Sequence, residues 1–430
     1  MFRSLPPYAP TDATLKKLAD SMADKAGPEG DNPDLPSGYT YLGQFVDHDI
    51  TFDPVSGLDR RNDPDALHTF RTPRFDLDCL YGRGRDDSPY LYDQDDPASL
   101  LVGRNTSREH EPVDLPRNQQ GRALIGDPRN DVHFIVSQLH LGFIRFHNAV
   151  VDRLRFQTEP TRLFGEARRV VTWHYQWVVV HDFLRRLVGP EVVGEVLVTD
   201  PATGRAKANL TYFKWKEQPF VPVEFSAAAY RFGHSMVRGE YRVNDTLEVL
   251  PILTDIRIAN PLQHFGGFRW LPKGWTVQWK HLLPVEEGFA PQLARRVDTR
   301  LAEPLRKLPP AVDQPRRSLG LLNMMRGRSL QLPSGQDVAA AMDTSVPNSR
   351  LRLKGETALW FYLLREAEVL SEGRRLGPTG ARIVAEVLVG LLSGDPSSFL
   401  RQEPGWKPEL PGEEEGTFTM VDLLRFAGVA

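Results

Sequence analysis

Helical periodicity recurs from one end of this chain to the other. Apolar residues return at three- and four-residue spacing over 12–26, 39–50, 131–157, 163–188 and 222–237. The pattern resumes over 288–306, 335–342, 354–372, 379–393 and 418–427. Strand signals are confined to short stretches such as 208–213 and 276–279. The pattern therefore predicts a mainly α architecture. No shift in composition marks a linker, so the expectation is an N-terminal extension with a short helix over 1–35 and one large helical domain over 36–430. Proline is frequent, 35 in 430 residues, against a usual ~5 %. Apolar residues are spread throughout, so the prolines point to long ordered connections rather than disorder.

The helices near 39–50, 131–157 and 222–237 carry polar residues that a plain packed helix has no use for. An all-α unit with polar groups aimed inward commonly houses a cofactor. Several alternatives fall away on composition. A formal net charge of −3 leaves no nucleic-acid footprint. The single cysteine, Cys79, excludes an internal disulfide framework, cysteine-based zinc sites and iron–sulfur clusters. No apolar run is long enough to span a bilayer, and MFRSLPPYAPTDATLKK lacks the apolar core of a signal peptide. The expectation is a cytoplasmic protein, or one exported without a conventional signal peptide.

Five stretches carry chemistry. In YLGQFVDHDITFD, Gln44 and His48 stand four apart and share a helix face. Asp47 flanks that face, and Asp49 points about 100° away from His48. The plain alternative is a solvated helix end with one core histidine. A His-Asp pair also occurs in metal phosphohydrolases, but the further His and Asp residues such a site needs are not convincingly placed. In RTPRFDLDCLYG, Thr72, Asp76 and Asp78 occupy an irregular loop. Oxygens at alternate positions 72, 74, 76 and 78, with Asp49 nearby, suit a hard cation, or else make a polar turn. In GDPRNDVHFIVSQLHLGFIRFHN, Arg129 lies near a helix N-terminus, where the helix dipole disfavours a cation. His140 and His147 follow on one face and fit structural hydrogen bonding better than metal ligation. In AAAYRFGHSMV, Gly233 precedes His234 and would let something flat approach. LGLLNMMRGRSLQLPSG carries Asn323 and Arg326 three apart.

Taken together and in order, GQFVDHD, TPRFDLD, GDPRND, YRFGH and LNMMRGR resemble the haem peroxidases of the peroxidase–cyclooxygenase superfamily, the animal-type peroxidases and their bacterial relatives. The resemblance spans about residues 36–343. It implies a mainly α fold with haem b held between helices. It also implies a peroxidase that reduces hydrogen peroxide through a ferryl intermediate and oxidises a halide, thiocyanate or small organic donor.

By this resemblance, His48 is the distal base, Arg129 the distal cation, and Gln44 a hydrogen-bonding group above the iron. His234 is the proximal iron ligand. Asn323 accepts from or orients its other ring nitrogen, and Arg326 pairs with a haem propionate. Asp49, Thr72, Arg74 through its carbonyl, Asp76 and Asp78 hold one Ca²⁺. Two departures from the family pattern stand out. Asp47 matches one ester-forming carboxylate, but Val132 and His133 occupy the positions of the second carboxylate and of a linking methionine. At most one ester to haem is expected, through Asp47. The fatty-acid dioxygenase branch places a radical-forming tyrosine three residues before the proximal histidine. Here that position is Arg231, and Tyr230, one residue earlier, is expected to point elsewhere. A haem fatty-acid dioxygenase and a non-catalytic calcium- and haem-binding protein remain the alternatives.

Overall fold

A computed structural model describes residues 1–24, 27–51, 71–106, 111, 113–254, 260–308 and 318–430. The chain is mainly α, with three two-stranded sheets among the described residues. Helix α1 (Asp12–Asp20) starts where Thr11 predicts it. The Thr11 hydroxyl accepts from the Thr14 N–H at 3.2 Å. It stops well short of residue 26. Beyond it, strand β1 (Asp31–Pro36) pairs antiparallel with β2 (Leu293–Arg295).

That pairing corrects the expected helix over 288–306, which is reduced to Glu303–Arg306. Arg295 supplies a physical reason. Its guanidinium reaches Asp24 at 2.7 Å and Asp31 at 2.8 Å, which holds this stretch extended against the N-terminal segment. The 208–213 strand is likewise smaller than expected, Ala206–Ala208 pairing with Leu197–Thr199. Residues 276–279 form no strand, and Trp279–His281 is a 3-10 turn.

Helix α2 (Gly38–Ile50) is buried along most of its length. Its first residue must be small, because a Cβ at Gly38 would lie 2.5 Å from Leu283. Long helix α3 (Phe134–Leu154) packs across it. Phe45 of α2 stacks on Phe143 of α3 with centroids 4.3 Å apart and planes 2° from parallel. Tyr175 of α4 (Pro160–Trp177) meets both rings edge-on. Three aromatic rings thus lock three helices and set the angle at which α2 presents its polar residues.

The expected long helix over 163–188 is interrupted. After α4 the chain widens into a π-helical stretch, Val178–Leu184, before a last turn, Arg185–Val188. Such stretches often accompany functional sites. Here the stretch carries Asp182, which accepts from the Tyr39 hydroxyl at 2.9 Å, and Phe183, which lies against Gly43.

The helix expected over 222–237 is broken too. A turn over Val223–Ala227 is followed by a 3-10 segment, Ala229–Met236, with Ala228 off the helical backbone between them. Side chains hold carbonyls on both sides of the break. Arg231 Nε donates to Ser226 O at 2.9 Å, and Trp360 Nε1 donates to Arg231 O at 3.0 Å. Trp360 lies on α6 (Leu359–Leu370), which follows α5 (Leu319–Ser329) and precedes α7 (Pro378–Gly394). Helices α6 and α7 and the Gly335–Ala341 and Met420–Phe426 helices fall where periodicity predicts them, whereas α5 lies outside the predicted stretches. No helix among the described residues is long and apolar enough to cross a membrane.

Candidate active site

Helix α2, the residues leading into α3, the Ala229–Met236 segment and α5 surround one cavity of about 1090 Å³. Gln44, Asp47, His48, Arg129, Val132 and His133 line one side. Tyr230, Arg231, Gly233, His234 and Arg326 line another part of the same cavity. Its volume lies just above the usual range for small-molecule and cofactor sites, roughly 300–1,000 Å³. A Cβ added at Gly233 would meet nothing within 4 Å, so open space lies beside His234.

His48 is buried, and its Nδ1 lies 2.7 Å from Asn130 Oδ1. Asn130 turns its amide nitrogen to His140 Nδ1 at 3.0 Å. In this arrangement the His48 Nδ1–H donates to the Asn130 carbonyl oxygen, which leaves Nε2 as the bare nitrogen. Burial, then the Arg129 charge, lowers the His48 pKa, so the ring is neutral near pH 7. Asn130 went unnoticed in the sequence; its only signal was its place directly after Arg129. His140 and His147 are structural, as expected, and His147 Nδ1 pairs with the Tyr81 hydroxyl at 2.9 Å.

Arg129 lies in a 3-10 turn, Pro128–Asp131, rather than on the following helix. Asp127 offsets its charge. Arg129 Nη2 donates to Asp127 at 2.8 Å and to the carbonyls of His48 and Thr51. Arg71 adds a second cation at 2.7 Å from Asp127. Burial pushes the Asp127 carboxyl up, but these arginines outweigh it and bring the pKa to about 2.

His133 N-caps α3, its Nδ1 accepting from the Val136 N–H at 3.2 Å. Its Nε2 lies 2.9 Å from Gln44 Oε1. The sequence marks His133 only as a missing methionine and gives no hint of this contact.

At His234, Asn323 Nδ2 stands 2.8 Å from Nδ1, and Arg231 Nη1 stands 3.0 Å from Asn323 Oδ1. A guanidinium can only donate, so the amide oxygen belongs to Arg231 and the amide nitrogen to the imidazole. In this arrangement Asn323 donates to Nδ1, which places the proton of the neutral ring on Nε2. Burial, then Arg231, lowers the His234 pKa to about 3, and a neutral ring is the form that ligates metal. Tyr230 is a correction. Its ring lines the cavity, and its hydroxyl donates to Gly43 O at 3.3 Å, because the cavity wraps around the short 3-10 segment.

The second cluster joins Asp49, Asp76 and Asp78, whose nearest oxygens lie within 4.8 Å of one another. Asp49 Oδ1 is buried with no hydrogen-bond partner. Burial, then the charges of Asp76 and Asp78, pushes the Asp49 pKa well up. Converging carboxylates with an orphaned acceptor fit a hard cation. The Thr72 hydroxyl donates to Asp76 at 2.8 Å. The Arg74 side chain lies 3.8 Å from Asp395.

A helical fold here encloses a large cavity, with an imidazole on each of two separate segments and an acidic cluster beside one of them. The animal haem peroxidase family matches residues 60–358, and the chain belongs to that family. A chorion peroxidase of Drosophila melanogaster is 25 % identical over 383 residues, covering 85 % of this chain and 43 % of its own length. The chain spans less than two thirds of the length of the curated relatives it matches.

Two solved structures share the fold. Peroxidase A from Dictyostelium discoideum aligns with TM-score 0.63 at 15 % identity over 98 % of this chain and 91 % of that one. A fatty acid alpha-dioxygenase of Oryza sativa aligns with TM-score 0.61 at 15 % identity over 93 % of this chain and 77 % of that one.

Proposed function

We propose that this protein is a haem-dependent peroxidase, using hydrogen peroxide to oxidise a halide, thiocyanate or small organic donor. The observation that carries the reading is the pair His48 and His234, two buried imidazoles on separate segments that line one cavity. Each is backed by an asparagine amide. Haem, when bound, supplies the redox chemistry. His234 would ligate its iron through Nε2, which requires the ring proton on Nδ1 and so the Asn323 amide turned to accept it there with its oxygen, and Arg326 would pair with a propionate.

His48, neutral and with Nε2 bare, would take a proton from peroxide and return it to the departing oxygen. Arg129 would stabilise charge developing there, and Gln44 would hydrogen-bond the bound species. Asp49, Asp76 and Asp78, with Thr72 and the Arg74 carbonyl, would hold Ca²⁺.

The second reading, a fatty-acid dioxygenase, is favoured by Tyr230 in the cavity wall and by the fold shared with an alpha-dioxygenase. One experiment separates the two. Haem-loaded protein is mixed with hydrogen peroxide plus a donor, or with linoleate and no peroxide. Oxidised donor is the expected product. Oxygenated linoleate formed without peroxide would replace this reading with the second.

Asp47 offers the one carboxylate expected to esterify haem. After peroxide turnover, acid–ketone extraction is expected to leave some haem on the wild type and none on Asp47→Val. Full extraction from both would show that no ester forms.

A further inference from the structure

The contact between His133 and Gln44 has a direction that can be derived. His133 Nδ1 accepts a backbone N–H, that of Val136 at 3.2 Å, and an amide N–H can only donate. The ring proton must therefore sit on Nε2. Nε2 lies 2.9 Å from Gln44 Oε1, so it donates to that oxygen. The Gln44 carbonyl is thereby occupied, and its amide nitrogen is left over. Among the described residues no group accepts from that nitrogen, and Gln44 lines the cavity beside His48. The ring of His133 is itself held, edge-on against Tyr41 with centroids 5.1 Å apart.

An amide side chain offers either a lone pair or two N–H groups, depending on which way it is turned. We propose that His133 is a positioning residue that holds Gln44 with its amide nitrogen, and not its oxygen, toward the distal side of the haem cavity. The distal side then carries two complementary functions: an acceptor at His48 Nε2 and a donor at Gln44 Nε2. A ligand bearing lone pairs, peroxide or a small anion, would be held by the donor while the acceptor handles its proton. The inference rests on the haem reading above.

Fluoride is the probe, because as a ligand of ferric haem it presents only lone pairs and so reports on distal donors. His133→Asn keeps an oxygen at the position of Nδ1 to cap Val136 but has no donor long enough to reach Gln44. His133→Gln restores a donor at the reach of Nε2. Fluoride titration of the haem-loaded protein, read from the Soret and charge-transfer bands, is expected to give about tenfold weaker binding for His133→Asn. His133→Gln should recover most of the loss. Gln44→Leu should lose as much as His133→Asn, and the double variant no more than either.

Unchanged fluoride affinity in His133→Asn, or losses that add with Gln44→Leu, would overturn the proposal and leave the peroxidase reading intact. A wild type without a Soret band would take both with it.

Discussion

His48→Leu is expected to slow the reaction of the haem-loaded protein with hydrogen peroxide by roughly 10²–10⁴-fold, the range for losing a positioned general base. The argument starts from the helix. Gln44 and His48 share one face of α2, and Phe45 pins that helix on Phe143. Asn130 then takes the Nδ1 proton at 2.7 Å, and burial with the Arg129 charge keeps the ring neutral. Every one of these features serves to expose a lone pair at Nε2 toward the cavity. Leucine fills a comparable volume and offers no base. Haem should remain bound, because its ligand comes from a different segment. The check is the second-order rate of the peroxide-driven Soret change in stopped flow. A loss smaller than tenfold would mean that proton transfer runs through another group.

The second large effect concerns calcium. Asp49, Asp76 and Asp78 crowd three carboxylates together, one with an unpartnered buried oxygen. Two routes lead from this cluster to the distal groups. Asp49 adjoins His48 on α2. Arg71 bridges Asp78 at 3.1 Å and Asp127 at 2.7 Å, and Asp127 holds Arg129.

Removing the cation should therefore loosen both distal residues. With calcium ~1,000-fold above its Kd the linkage is ~4 kcal/mol. For a chain this large that corresponds to a fall in Tm on the order of 4–5 °C on chelation. Asp49→Asn should invert the order. It removes one of three repelling charges, so it should be more stable than the wild type in chelator and less stable in calcium. Thermal melts of both proteins with and without chelator test this. Melting curves that ignore calcium would remove the cation from the account.

Much of this was legible in the sequence, for identifiable reasons. Helices α3, α6 and α7 and the Met420–Phe426 helix are set by local apolar periodicity, and periodicity is read directly. The residues of the five motifs do meet. Gln44, His48, Arg129, His234 and Arg326 line one cavity, Asn323 backs His234, and the three aspartates converge.

What stayed hidden depends on partners distant in the chain. Strand β1 contains two prolines and pairs with residues about 260 positions away. The 3-10 segment after the break at Ala228 is held at Arg231 O by Trp360, which lies on a helix whose sequence carries no chemistry of its own. Asn130 and His133 look like filler next to Arg129, yet Asn130 sets the proton of His48 and His133 reaches Gln44. The donor role of Asn323 could not be seen without Arg231 beside it.

The most direct test is the visible spectrum of the haem-reconstituted protein beside that of His234→Ala. The wild type should show the Soret band of histidine-ligated haem. In His234→Ala the band should shift or collapse, and added imidazole should bring it back. Identical spectra from the two proteins, or no Soret band in either, would contradict a haem held at His234 opposite His48.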